Sequence, residues 1–352
     1  MAISDFQLIE AWKEVLRLSR LERGETVTVL TSASTHAQTL SCALIAAQSM
    51  GAIVNRLDLP PINGEKGFSR DSLAYLGTTP LTGNPAAIAA LKHSDLVLDL
   101  MTLLFSPEQH EILQSGTRIL LAVEPPEVLV RLIPTLADRT RVLAAADRIK
   151  AARRMRVTSP AGTDLICPTG DFPATAEYGF VDAPGRWDHW PSGFAFTFPN
   201  DKTARGTIVI DRGDILLPQK HYVSEPITLT VEGGYAVRIE GGIDAALLSD
   251  YMETFDDPEG YAISHIGWGL QPRARWSTLG LYDREATIGM DARAFEGNFL
   301  FSLGPNNEGG GDRTTTCHID IPLRHCTVAL DDEVVVENGR VLDPQSAPTS
   351  PQ

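Results

Sequence analysis

The sequence predicts an α/β chain: an N-terminal α/β domain built on a parallel sheet, followed by a β-rich α+β domain. Two observations predict it. Up to about residue 155, short apolar strands alternate with helical stretches, the pattern of βαβ units with helices on both faces of a parallel sheet. From Met155 onward, short strands broken by Gly, Pro and Asp turns take over. The expected division is residues 1–155, 156–342 and a Pro/Ser-rich flexible tail, 343–352.

In order, residues 5–22 read as a helix, because Leu8, Ile9, Trp12, Val15, Leu16 and Leu18 fall largely on one face and Ser4 or Asp5 can cap it. Thr26–Leu30 is a strand, His36–Met50 an alanine-rich helix with Gly51 as its cap, and Ala52–Leu57 the next strand. Residues 59–84, rich in Pro, Gly, Asn and Ser, read as a long loop. A helix over Pro85–Lys92, an apolar strand over Asp95–Leu100, a helix over 107–114, a strand over Thr117–Val123 and a basic helix over Arg139–Arg154 complete the first half. No GxGxxG follows the first strand, so a dinucleotide site is unsupported. In such sheets the loops after the carboxyl ends of the strands face the ligand crevice, which singles out Met101–Ser106, although on sequence alone core burial is the favoured reading of Leu104 and Phe105.

In the second half, strands are expected at Arg156–Thr158, Asp164–Cys167, Phe194–Phe198, Gly206–Asp211, Ile227–Val231 and Tyr235–Glu240. After a helix at Asp244–Thr254 they resume at Ala262–Leu270, Ala286–Met290, Asn298–Leu303, Thr315–Ile321 and Val328–Glu337.

The chain has 352 residues, 43% of them hydrophobic and 21% charged, enough for two ordinary globular cores. A formal net charge of -15 argues against nucleic acid and anionic membrane, which require a basic face. No apolar run is long enough to span a bilayer, and MAISDFQLIEAW lacks the basic stretch and apolar core of a signal peptide. Cys42, Cys167, Cys317 and Cys326 form neither a CxxC pair nor a disulfide framework, so a cytoplasmic protein is expected.

One stretch carries the chemistry. Thr314–Pro322 reads as a strand, in which residues two apart share a face, so His318 and Asp320 project side by side. An imidazole and a carboxylate on a rigid strand supply two-thirds of a 2-His-1-carboxylate iron site; a surface His–Asp pair is the alternative. Of the eight histidines, His265 is the best third ligand. It lies in Ser264-His265-Ile266-Gly267-Trp268-Gly269-Leu270, a short apolar strand whose glycines mark a close approach, although a satisfied core histidine would look the same. Two histidines and one carboxylate suit Fe(II), whereas Mg or Ca would take more oxygens. A second polar group spans Glu177–Ser192. His189, between two tryptophans, suits a general base, or else a loop histidine bonded to Asp188. Ser302 could reach a substrate or merely satisfy backbone.

HIGWGLQP around His265, GTDL at Gly162–Leu165, WPSGFAFTFPND at Trp190–Asp201 and CHID at Cys317–Asp320 resemble the thermophilic-type leucyl aminopeptidase family over most of the second domain. More closely, and over nearly the whole length, the chain resembles the 2,5-dihydroxypyridine 5,6-dioxygenase family of bacterial nicotinate breakdown. That resemblance implies a mononuclear Fe(II) enzyme that opens a pyridine ring with O2 to give N-formylmaleamate, with His265, His318 and Asp320 on the iron. For such a reaction the residues offer His189 as base, Glu177 and Ser302 to orient the ring, and Leu104 and Phe105 as a lid. A homo-oligomer is expected. The alternative is a two-metal aminopeptidase-like hydrolase. In those peptidases a ligating glutamate stands where this chain has Phe194, and a carboxylate where it has His265, so the means of holding two cations is lost here.

Overall fold

A computed structural model of the chain describes residues 3–60, 79–104, 106–217 and 219–342. Helix α1 (Asp5–Leu18) is started by a capping box: the Ser4 hydroxyl accepts from the Gln7 N–H while the Gln7 side chain accepts from the Ser4 N–H. After it come β1 (Thr26–Thr31), α2 (Ala37–Ser49), β2 (Ile53–Asp58), α3 (Pro85–Lys92), β3 (Leu96–Asp99), α4 (Pro107–Gln114), β4 (Arg118–Leu121), α5 (Pro126–Arg131) and α6 (Leu136–Ala151). Proline opens α3, α4 and α5, where its missing N–H would have had no intrahelical partner. The strands β5 (Arg154–Thr158), β6 (Asp164–Pro168), β7 (Thr175–Glu177), β8 (Trp187–His189), β9 (Phe194–Thr197), β10 (Arg205–Ile210), β11 (Ile215–Leu216), β12 (His221–Tyr222), β13 (Ile227–Glu232) and β14 (Tyr235–Gly241) lead to α7 (Ile243–Glu253). The chain ends with β15 (Ile263–Gly269), α8 (Met290–Ala294), β16 (Phe299–Leu303), β17 (Ile319–Leu323), β18 (Thr327–Leu330), β19 (Glu333–Glu337) and β20 (Arg340–Val341).

The residues fall into two units. One is drawn from Met1–Thr140, Glu177–Gly193 and Ser277–Asp291, the other from Arg141–Ala176, Phe194–Trp276 and Ala292–Gln352. The sequence reading divides the chain once, near residue 155. In the structure two later segments, Glu177–Gly193 and Ser277–Asp291, belong with the first unit.

The first unit is built on a five-stranded sheet in the order β2-β1-β3-β4-β8, with parallel pairing throughout. β3 and β4 are buried along their whole length, as continuous Leu/Val/Ile runs in a parallel sheet require. Leu30, Val97, Ile112 and Ile119 form part of its core. At the end of β3, the buried Asp99 carboxylate accepts from the N–H groups of Met101 at 2.9 Å and Leu103 at 2.7 Å, with Thr102 in the left-handed region between them. Burial pushes the Asp99 carboxyl up to about 6 against those bonds.

The second unit holds two larger antiparallel sheets. One runs β14-β13-β10-β6-β5-β18-β19-β20. The other runs β17-β16-β15-β9-β7, and its strands β15, β16 and β17 are buried throughout. A side chain at Gly267 would put its Cβ 2.1 Å from the Ala195 carbonyl oxygen of β9, so glycine there lets two backbones meet.

The α/β class read from the sequence is borne out, and three local expectations are corrected. Ala286–Met290 is not a strand, because side chains capture its backbone: the Met290 N–H donates to Glu124 and the Gly289 N–H to Thr287. The chain there makes a 3-10 turn, Arg284–Ala286, and then α8. Val328–Glu337 is a hairpin of β18 and β19 rather than one strand, turning at Asp331 in the left-handed region. The strand expected from Thr315 begins at Ile319, since the Thr315 hydroxyl bonds the Cys317 N–H and holds a local turn instead. Most of the 59–84 loop and the tail from residue 343 lie outside the described residues.

Candidate metal centre

In the second unit, β17 pairs with β16 so that Asp320 stands opposite Ser302, and β16 pairs with β15. Between Ile263 and Ile266 the register of β15 shifts, a bulge centred on Ser264 and His265. Bulges re-aim side chains, and this one leaves the His265 N–H without its regular ladder partner. The Ser302 hydroxyl takes that place: it accepts from the His265 N–H at 2.9 Å and lies 3.4 Å from the His265 carbonyl oxygen. The serine assigned to the substrate from sequence is fully buried, and its hydroxyl serves the His265 backbone.

Three side chains converge. His265 Nε2 lies 3.0 Å and His318 Nε2 3.1 Å from Asp320 Oδ1, and the two imidazole rings are 5.4 Å apart. All three residues are buried, at 6%, 5% and 6% exposure. His318 sits one residue before β17, in register to share a face with Asp320. Phe196 on β9 and Phe198 just after it wall the His265 ring at 5.1 and 6.2 Å. Gly309 gives Phe198 its room, since a Cβ there would lie 2.5 Å from that ring, which accounts for part of the glycine run before the site.

These atoms fit a divalent ion. Ligands at right angles, about 2.1 Å from one ion, stand roughly 3.0 Å apart, which matches the observed spacings. Asp320 Oδ1 faces both imidazole nitrogens at that distance, so three potential ligand atoms converge on one buried point. Its other oxygen, Oδ2, accepts from Arg293 Nε at 2.6 Å. Burial alone would raise the Asp320 carboxyl; the charges of His318 and Arg293 and the bonds from both histidines overcome it and hold the group well below the usual carboxylate range. Cys317 is no ligand: burial pushes its thiol up to about 12, and it packs on Gly260.

A second cluster, Glu177, Asp188 and His189, lies in the first unit. His189 ends β8, at the carboxyl edge of the parallel sheet where ligands of such sheets bind. Its Nδ1 is 2.7 Å from the Pro191 carbonyl oxygen, which can only accept, so Nδ1 carries a proton. Its Nε2 is 2.5 Å from Glu177 Oε2, too close for two bare lone pairs, so the pair holds a proton between them. Burial would lower the imidazole, but the Glu177 carboxylate, then Asp188 and the Pro191 carbonyl, carry it above its ordinary value. Asp188 is tied into the same cluster by hydrogen bonds on both oxygens. Its Oδ2 accepts from Arg186 at 2.6 Å and the Tyr178 N–H at 2.9 Å, and its Oδ1 from the His189 N–H at 2.8 Å. Leu104 is half-buried in the first unit, and Phe105 lies outside the described residues. Sequence reasoning missed Arg293 altogether, for it falls in a stretch with no periodic signal.

Fold and site together define a mixed α/β protein with a three-residue candidate metal centre on an antiparallel sheet. The chain belongs to the NicX family, 2,5-dihydroxypyridine 5,6-dioxygenase, which it matches over residues 7–343. It is 54% identical over 347 residues, 99% of each chain, to the 2,5-dihydroxypyridine 5,6-dioxygenase of Pseudomonas putida KT2440. The solved structure of the 2,5-dihydroxypyridine dioxygenase from that organism superposes with a TM-score of 0.95 at 54% identity, covering 98% of this chain and 99% of that one. Wild-type AmpT from Thermus thermophilus shares the fold, with a TM-score of 0.61 at 15% identity over 96% of this chain and 99% of that one. The resemblance to the 2,5-dihydroxypyridine 5,6-dioxygenase family over nearly the whole length is thereby borne out. Among the described residues, no helix is long and apolar enough to cross a membrane.

Proposed function

We propose that the chain is an Fe(II)-dependent ring-opening dioxygenase that converts 2,5-dihydroxypyridine and O2 to N-formylmaleamate in nicotinate breakdown. The observation that carries the metal is the convergence of His265 Nε2, His318 Nε2 and Asp320 Oδ1 at 3.0 and 3.1 Å in a buried site. Two imidazoles and one carboxylate are the donor set of non-haem iron oxygenases, and they leave open positions for two reactants. Bound there, Fe(II) would supply a place where substrate and O2 meet and exchange electrons.

The protein's own part is to hold, orient and move protons. Buried strands β15 and β17 fix the ligands, and Ser302 fixes the bulge that aims His265. The Phe196 and Phe198 rings exclude water from one side of that imidazole. For the proton that a ring hydroxyl gives up, we assign the His189–Glu177 pair on its chemistry alone. Nδ1 is committed to Pro191, so the exchange is at Nε2 and Oε2. The pair must shed its shared proton before it can accept another. Leu104 and Phe105 remain our proposed contacts to the substrate ring, and the active assembly is proposed to be a cytoplasmic homo-oligomer.

The test is metal analysis joined to turnover. Protein loaded anaerobically with Fe(II) should hold about one iron per chain and consume O2 with 2,5-dihydroxypyridine, giving N-formylmaleamate by mass spectrometry. Two zinc ions per chain with peptide hydrolysis and no oxygen uptake would sink this reading in favour of a two-metal hydrolase.

A further inference from the structure

The geometry points to Arg293 as a positioning residue that keeps Asp320 a one-oxygen ligand and so keeps the metal's remaining positions open. The inference rests on the metal centre proposed above and goes further, to what sets the number of open positions. A carboxylate can hold an ion through one oxygen or chelate it through both, and chelation uses up a position that a reactant would need. At Asp320 the two oxygens have different surroundings. Oδ1 faces both imidazole nitrogens at 3.0 and 3.1 Å, while Oδ2 accepts a charged hydrogen bond from Arg293 Nε at 2.6 Å. A bond that short to a guanidinium, with the carboxylate buried and Arg293 half-buried, resists the rotation that would turn Oδ2 toward the ion.

Arg293 is itself held. The Asn298 side chain, fully buried, donates from Nδ2 to the Arg293 carbonyl oxygen at 2.8 Å and accepts on Oδ1 from the Gly269 N–H at 3.0 Å. Gly269 ends β15, the strand that carries His265. One chain of bonds thus runs from the His265 strand through Asn298 and Arg293 to Asp320, tying the carboxylate to the strand of another ligand. A lysine at 293 would keep the charge but lose the planar fork that fixes direction.

The test uses the full chain and Mn(II), whose bound water is counted by its effect on water proton relaxation. Wild type should bind Mn(II) with exchangeable waters on the ion. Arg293→Gln should bind Mn(II) about 10- to 100-fold more weakly and show fewer exchanging waters per bound ion. Arg293→Lys should recover most of the affinity and only part of the water count. Equal unfolding midpoints for the metal-free proteins establish that all three fold, and if Arg293→Gln fails to fold, the Arg293→Lys water count decides alone. If a folded Arg293→Gln keeps wild-type affinity and water number, or Arg293→Lys fully matches wild type in both, the positioning role is overturned while the metal centre stands. If wild type binds no Mn(II), the metal centre falls, and this inference with it.

Discussion

Asp320 and the two imidazoles it faces make the sharpest single-residue statement. Replacing Asp320 by Asn removes the only charged donor, and since losing a mere outer partner already costs 10- to 100-fold in affinity, losing this ligand should weaken metal binding by at least about 100-fold. Equilibrium dialysis with Fe(II) checks it, and undiminished iron in Asp320→Asn would remove Asp320 from the ligand set. The His318–Asp320 pair was legible from sequence because a period of two needs only the strand. His265 was legible because Gly267 and Gly269 flagged a close approach. For Ser302 the sequence left a substrate role and a backbone role open, because its bond to His265 depends on a bulge in a neighbouring strand, which no local pattern records. At His189 the prediction concerns pH. The fold raises its affinity for a proton above the ordinary value of 6.5, so the pairing stabilises the fold fully below that value and is lost as pH rises through the raised one. The stability difference between wild type and His189→Gln, measured by urea unfolding from about pH 5.5 to about pH 9, should therefore shrink with rising pH. A difference that grows with pH would mean the imidazole is buried neutral.

At the scale of elements, β15 is where sequence, packing and site meet. Gly267 faces the β9 backbone so closely that an added methyl would meet Ala195 O at 2.1 Å and Phe196 Cα at 2.7 Å. Neither contact is a side-chain tip that can swing aside, so Gly267→Ala must push β15 and β9 apart. Overpacking of this kind costs about 1–3 kcal/mol, and the strain falls two residues from His265 and directly on the neighbour of its Phe196 wall. The variant should lose that much stability in thermal unfolding and bind metal more weakly than wild type; normal stability would show that the strands can separate freely. The elements that sequence reasoning recovered are those whose periodicity is local, such as α3 and α4, opened by proline, and the apolar β3. It lost those that depend on distant partners. β8 is three residues between turns and becomes a strand only because Ile119–Leu121 pairs with it in parallel. Thr287 and Gly289 have strand-like neighbours, but Glu124, more than 160 residues earlier, captures the hydroxyl of the first and the N–H of Met290.

For the whole molecule, the ligands all belong to one unit, while His189, Glu177 and Leu104 belong to the other. Contiguous division near residue 155 was the natural reading of a change from helices to strands, but composition cannot show that Glu177–Gly193 returns to extend the parallel sheet with β8. This division makes metal binding a test of how the site is built. An ion that binds only the folded state stabilises it by RT ln(1 + [L]/Kd), about 2.7 kcal/mol at a hundredfold excess over Kd. All three donors lie on β15 and at β17, so that stabilisation should reach those strands and β16 between them first. Amide exchange measured with and without a saturating divalent ion should then slow by up to about 100-fold in Ile263–Gly269, Phe299–Leu303 and Ile319–Leu323. Exchange in β1, β3 and β4, which carry no ligand, should slow less. Equal slowing in all strands would mean that the chain opens as one cooperative body, and slowing confined to β8 would move the ion to Glu177 and His189.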